Sequence, residues 1–286
     1  MGNLLKGKIA IITGGGRGIG RAIAECYAGE ECNLVLISRT LLELQETESL
    51  IRKNYNCSIQ IHAADISDEK MMDKIFNRTY KEFGKIDILV NAASVLGPAG
   101  SLEEINSEQW EKTIRINIHG LFFCIKAVLP FMKEQNDGCI INFSGGGGLL
   151  PNPFFDAYSV CKSATVRLTE NLALELNNYN ISICAIAPSG VNTRMFEDMM
   201  AAGREKVGEK IWESFEKRKK NGGDPIENPQ KLALYIAVHR GKELNGRTIS
   251  AKYDNLQKIE EHSEEIISSD IYTLRRIMPK DRGLLW

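Results

Sequence analysis

The chain lacks an excess of charge of either sign. Over 286 residues, 36 Lys and Arg stand against 37 Asp and Glu, a formal net charge of −1. That balance gives no bulk reason to bind nucleic acid or an anionic membrane. It also lacks paired cysteines: the seven present are odd in number and none falls in a C-x-x-C pair. This argues against a disulfide framework and a zinc site, and reads as reduced intracellular thiols with no metal site. Long apolar runs are missing too. LFFCIKAVLPFM at 121–132 is too short to cross a bilayer and is broken by Lys126 and Pro130. At the start, strand-like residues follow MGNLLKG at once with no signal peptide, and Lys6 stands where a myristoylation signal needs Ser or Thr. These absences lead to the expectation of a cytoplasmic protein with no membrane partner. No linker or repeat divides it.

Seven short apolar runs are present: KIAIIT, NLVLIS at 33, CSIQIHA at 57, IDILVN at 86, GCIINFS at 138, ISICAIA at 181 and RTISA at 247. Amphipathic segments at helical spacing separate them. Strands of continuous apolar character joined by helical crossovers predict an α/β fold, a Rossmann-like, doubly wound, seven-stranded parallel sheet with helices on both faces. Ligands of such sheets bind outside the carboxyl ends of the strands. The residues to inspect are therefore 14–20, 38–40, Asp65, 91–94, 144–148 and 188–193.

The first of these segments, TGGGRGIG at 13–20, follows a strand pattern and leads into a helix pattern. That context suits a dinucleotide site: Gly14 permits the tight turn, Gly18 lets backbone approach phosphate, and Gly20 allows helix to pack on strand, with pyrophosphate on the helix N-terminus. Tyr158 and Lys162, four residues apart, share one face of a helix expected over 156–175. A phenol titrates at about 10, and an adjacent ammonium is expected to lower that value and make Tyr158 a usable acid or base.

These motifs resemble those of the short-chain dehydrogenase/reductase family, over roughly residues 6–250. TGGGRGIG matches T-G-x-x-x-G-x-G, NAAS at 91–94 matches N-N-A-G, YSVCK at 158–162 matches Y-x-x-x-K, and PSGVNT at 188–193 matches P-G-x-V-x-T. The resemblance implies a nicotinamide-dependent oxidoreductase moving hydride between cofactor and a carbonyl or secondary alcohol. Tyr158 would be the acid/base, Lys162 would hold the nicotinamide ribose, and Asn117 would keep a water in a proton relay. Asp65 would contact adenine, Asn91 would line the adenosine side and Thr193 would hold the carboxamide. Gly16, Ile19, Ile66, Ala92, Pro188 and Val191 complete the expected cofactor contacts. Ser38 replaces the acid that would bind a free ribose 2′-hydroxyl, and Arg39, helped by Arg17, would bind a 2′-phosphate, so NADP(H) is expected over NAD(H).

The pattern breaks at the substrate-orienting serine, expected thirteen residues before the tyrosine. That position is Gly145, and Ser144 lies one residue early, pointing the other way along an extended strand. Ser144 swinging in, glycine N–H groups acting as an oxyanion site or a bound water taking the hydroxyl's place, or weak turnover are the explanations open at this point. The stretch 194–225 is expected to be a substrate lid, with Met195, Phe196, Met199, Met200 and Trp212 as its apolar residues, either facing substrate or packing the core. EKRKK at 216–220 reads as a solvated helix face. Residues 1–250 are expected to form one NADP-binding catalytic domain. The tail, 251–286, is expected to serve as an interface or cover, with Leu284, Leu285 and Trp286 as its apolar end. A homodimer or homotetramer built through 107–135 and 156–177 is expected. Rival readings are a cofactor-recycling epimerase or dehydratase and a non-catalytic NADP-binding sensor or scaffold.

Overall fold

The computed structural model describes residues 2–240 and 242–284, with the side chain of Lys242 left aside. The seven apolar runs form β1 (Ile9–Thr13), β2 (Asn33–Ser38), β3 (Ile59–Ala63), β4 (Ile88–Asn91), β5 (Gly138–Phe143), β6 (Ile181–Ala187) and β7 (Thr248–Ser250). All pair in parallel, in the order β3-β2-β1-β4-β5-β6-β7. Strands β1, β4, β5 and β6 are buried along their whole length, which is why they carry unbroken Ile, Val and Leu rather than an alternating pattern.

The crossovers are α1 (Gly18–Gly29), α2 (Leu41–Asn54), α3 (Glu69–Phe83), α4 (Ser107–Ile114), α5 (Gly120–Gln135) and α6 (Asp156–Glu175). After β6 come α7 (Arg194–Ala201), α8 (Arg204–Val207), α9 (Glu209–Lys220) and α10 (Glu227–His239), and after β7 come α11 (Leu256–Glu261) and α12 (Ser263–Ile267). Side chains of β1 alternate between two cores. Ile12 joins Tyr27 of α1 and Ile236 of α10 on one face, while Ile11 joins Phe76 of α3 and Val128 of α5 on the other. The chain winds outward from β1 to β3 and then returns to β4, so a crevice opens beyond Thr13 and Asn91, which lie side by side at the strand ends.

Between α4 and α5 the backbone makes a π-helical turn, Arg115–His119, so that Ser107–Gln135 runs as 29 residues of helix. By length and composition this helix could cross a membrane, which the short apolar run within it did not suggest. Its apolar side is spent on α3 and strands β4 and β5 within the domain. The tail beyond β7 packs on its own chain. Ile259 and Ile266 enter the Tyr27 core and are nearly fully buried. The Arg247 guanidinium gathers the tail by donating to the carbonyls of Ile266 (2.7 Å), Ser269 (2.7 Å) and Ile271 (3.0 Å). The Thr248 N–H, on the free side of β7, donates to Tyr272 O at 2.9 Å. Leu284 is exposed, and Leu285 and Trp286 lie outside the described residues.

Candidate active site

The loop between β1 and α1 is shaped by close backbone packing. Gly14 has φ of +71°, which only glycine adopts without strain, and a Cβ on Gly20 would sit 2.3 Å from Gly14 O. This brings the start of α1 against the loop with its first N–H groups uncapped by any side chain, a cradle suited to pyrophosphate. A cleft of about 970 Å³ extends from there. Gly14, Arg17, Gly18, Ile19, Gly20, Ser38, Arg39, Asp65, Ile66, Ala92 and Thr193 all line it, so most of the expected cofactor residues converge.

Others do not face the cleft. Gly16 packs on α2, its carbonyl accepting from Thr47 Oγ1 at 3.1 Å. Asn91 is buried, and its Nδ2 donates to Asn142 Oδ1 at 2.9 Å, which in turn ties Asn142 to Thr169 of α6. Asn91 thus joins β4 to β5 and, through Asn142, to α6, with its own Oδ1 unpartnered among the described residues. Val191 is buried and bridges to Asp224, and Pro188 is half-buried at the end of β6. Beside it Ser189 holds φ of +71°, the left-handed conformation that a glycine would take at lower cost.

Three acids at the cleft were missed, Glu43, Glu197 and Asp198. Glu43 on α2 lines the same cleft, and its Oε1 takes the Arg17 guanidinium at 2.9 Å, with Arg194 at 3.9 Å. Arg39 is exposed at the rim. Asp65 accepts the Ser67 N–H at 2.9 Å on one carboxylate oxygen.

Tyr158 and Lys162 lie on one side of α6, with Lys162 Nζ 5.4 Å from the Tyr158 ring centroid and donating to Phe143 O at 2.8 Å. Both are buried. Leu96, Phe155 and Val207 close over the phenol, backed by Met195, Met199, Ile211, Trp212 and Phe215 of the expected lid. Phe196 is buried against Phe215. Met200 is only partly buried and stands apart from this cluster. Burial under this cover reverses the expected shift: the phenol is pushed up to about 12, and the same burial pulls the Lys162 ammonium down to about 8. The positive charge that opposes the phenol's rise is Arg218 rather than Lys162. Arg218 belongs to the 216–220 run, so that face is not wholly solvated.

Asn117 sits in the π turn, where the widened helix turns its side chain onto the loop after β4. Its Oδ1 accepts from Ser94 Oγ (3.1 Å) and Val95 N (2.9 Å), and its Nδ2 donates to Val95 O (2.8 Å). Ser94, the departure in NAAS, thus secures Asn117. The serine question is answered by register. Ser144 is buried and its hydroxyl donates to Lys162 O at 3.2 Å, away from the phenol. A Cβ on Gly145 would lie 3.1 Å from the Tyr158 hydroxyl. The missing side chain is therefore the one at Gly145, and Ser144 does not swing in.

The pattern of the short chain dehydrogenase family matches residues 8–203. Levodione reductase from Leifsonia aquatica is 32% identical over 194 residues, 68% of this chain and 73% of that protein. The 2,3-dihydro-2,3-dihydroxybenzoate dehydrogenase of Bacillus subtilis (strain 168) is 32% identical over 191 residues, 67% and 72% of the two chains. The crystal structure of levodione reductase superposes with a TM-score of 0.79 at 26% identity, covering 86% of this chain and 96% of that one. NAD+-bound xylitol dehydrogenase gives 0.75 at 25%, covering 86% and 98%. The fold is that of a nicotinamide-dependent enzyme, and the chain belongs to the short-chain dehydrogenase family of oxidoreductases.

Proposed function

We propose that the protein is an NADP-dependent reductase or dehydrogenase acting on a small carbonyl or secondary alcohol, with Tyr158 as the acid/base. The observation that carries this is a strand-end cleft with a glycine cradle, whose wall shares Leu96 and Met195 with the apolar cluster that buries Tyr158 beside Lys162. When bound, the dinucleotide supplies or takes up hydride. The chain's own part is to orient and to move a proton. Burial keeps the phenol protonated through neutral pH, so Tyr158 holds the proton a reduced carbonyl oxygen needs. Lys162 and Asn117 position the surrounding backbone through Phe143 O and Val95, and the lid excludes water. Loss of NADPH absorbance over a panel of ketones, keto-sugars and β-keto esters tests the reading. Demonstrated NADPH binding with no turnover anywhere on the panel would favour a sensor instead.

Cofactor choice turns on the rim of the cleft. Arg39 is exposed there to meet a 2′-phosphate, whereas Glu43 competes for Arg17. Arg39→Asp is expected to weaken NADPH about ten- to hundredfold by titration, the worth of a charge-assisted bond, and Glu43→Gln to strengthen it. Unchanged NADPH affinity in Arg39→Asp would remove the assignment.

A homo-oligomer also belongs to this reading. Phe122 on α5 and Val160 and Leu174 on α6 are 47%, 49% and 74% exposed, more apolar surface than two charged crossovers need. Sedimentation velocity is expected to give a dimer or tetramer, and a monomer at micromolar concentration would rule this out.

A further inference from the structure

Arg218 stands in a charge run, yet its guanidinium is turned inward. It lies 4.0 Å from the Phe196 ring centroid, donates from Nη2 to Val191 O at 2.6 Å and from Nε to Asn192 Oδ1 at 3.0 Å. Among the described residues Nη1 has no hydrogen-bond partner and no carboxylate forms a salt bridge with this side chain. Asp224, the acid on the same loop, is already engaged: Oδ1 takes Lys252 at 2.9 Å and Oδ2 accepts the Gly190 N–H at 2.9 Å. A half-buried guanidinium covered by an aromatic ring, whose nearby acid Asp224 is shared with Lys252 and the Gly190 N–H, retains positive charge to receive an anion.

Its surroundings narrow the choice. Phe196, Phe215 and Phe155 form a chain of ring contacts from Arg218 to the cover over Tyr158, and that cover also includes Leu96, Val207 and Trp212. One cation among apolar groups balances a monoanionic carboxylate. A dianionic phosphate would leave net negative charge against aromatic rings. The Arg218 charge is also felt at the phenol, where it works against the effect of burial. Beside that phenol stands Gly145, where a Cβ would crowd the Tyr158 hydroxyl at 3.1 Å, so no serine hydroxyl competes there for the substrate oxygen.

We propose that Arg218 is a specificity-determining residue that binds the carboxylate of an oxo acid whose ketone lies against Tyr158. This rests on Tyr158 being the proton donor. On reduction the carbonyl carbon gains a hydride, its oxygen gains the Tyr158 proton, and a hydroxy acid forms as the nicotinamide is oxidised. The carboxylate exchanges no bond and serves to orient the ketone.

The test compares benzoylformate with its methyl ester, which removes the charge and keeps the phenyl ketone. The acid-to-ester ratio of kcat/KM is expected to fall about ten- to hundredfold in Arg218→Gln, with Arg218→Lys restoring part of it. If Arg218 only clamps the 188–193 loop, both substrates decline together, the ratio stays fixed and the proposal is overturned. Should neither compound turn over, benzoylformate is titrated against the NADP+-bound protein by tryptophan fluorescence, with Trp212→Phe as the control for the lid signal. Saturable quenching that weakens in Arg218→Gln upholds the anion site, and no saturable change overturns it. Tyr158-dependent turnover of a neutral ketone without benzoylformate binding sinks this proposal and leaves the oxidoreductase reading standing. Binding of benzoylformate with no Tyr158-dependent turnover of any substrate does the reverse.

Discussion

Tyr158→Phe is expected to lower kcat on the order of 10²–10⁴-fold, the range spanned by loss of a positioned acid or base. Among the described residues the phenol carries the hydroxyl of the apolar cluster beneath the lid, and no hydroxyl at Gly145 stands ready to replace it. The fall should appear in kcat with NADPH affinity unchanged, because Tyr158 itself does not line the cleft that holds the glycine loop. The direction of the pH dependence follows from burial. With the phenol pushed up to about 12, reduction, which needs the protonated form, is expected to lose its acid only at strongly alkaline pH, while oxidation, which needs the phenolate, gains as pH rises. A variant that kept more than about a tenth of native turnover would mean that the proton comes from elsewhere.

Lys162→Met is expected to act in opposite directions on activity and stability. Turnover should fall by at least about a hundredfold, because the group that orients beside Tyr158 is gone. Near neutral pH, however, the ligand-free protein should become about 1–2 kcal/mol more stable in urea unfolding. The folded value of about 8 lies well below the ordinary 10.5, so charging Lys162 in place costs stability, discounted here for the lost bond to Phe143 O. The sign with pH is fixed by linkage: between about 8 and 10.5 the unfolded chain binds the proton that the native chain has released, so native stability climbs across that window. The methionine variant has no such climb, and its advantage should shrink as pH rises. A native protein more stable than the variant at neutral pH would show that the ammonium is better solvated than its burial implies.

Much of this architecture was legible in residue patterns. Strands buried on both faces must be continuously apolar, and the seven runs mark β1 to β7 to within about two residues at each end. The glycine loop was equally plain, since Gly14 and Gly20 are required by a turn and a contact that leave no room for a Cβ. The charged residues were harder to read. Glu43 reads as an ordinary acid in the first turn of α2, and only the packing of Gly16 on that helix brings it to Arg17. Arg218 is indistinguishable from its lysine neighbours until α9 lies across the 188–193 loop. The shift of Tyr158 was mistaken in direction because spacing reveals a neighbour's charge but not the burial imposed by residues as far along the chain as Leu96 before it and Val207 after it.

The tail held by Arg247 bears on how the chain is made. Ile259, Ile266 and Tyr272 close the same core face that Leu5, Ile12 and Tyr27 begin. During synthesis the earliest strand therefore waits, with that side of the sheet incompletely covered, for partners that follow more than 230 residues behind it. Closure of this face therefore comes long after the opening strand has left the ribosome, and until then the apolar side of that strand is open to solvent and to chaperones.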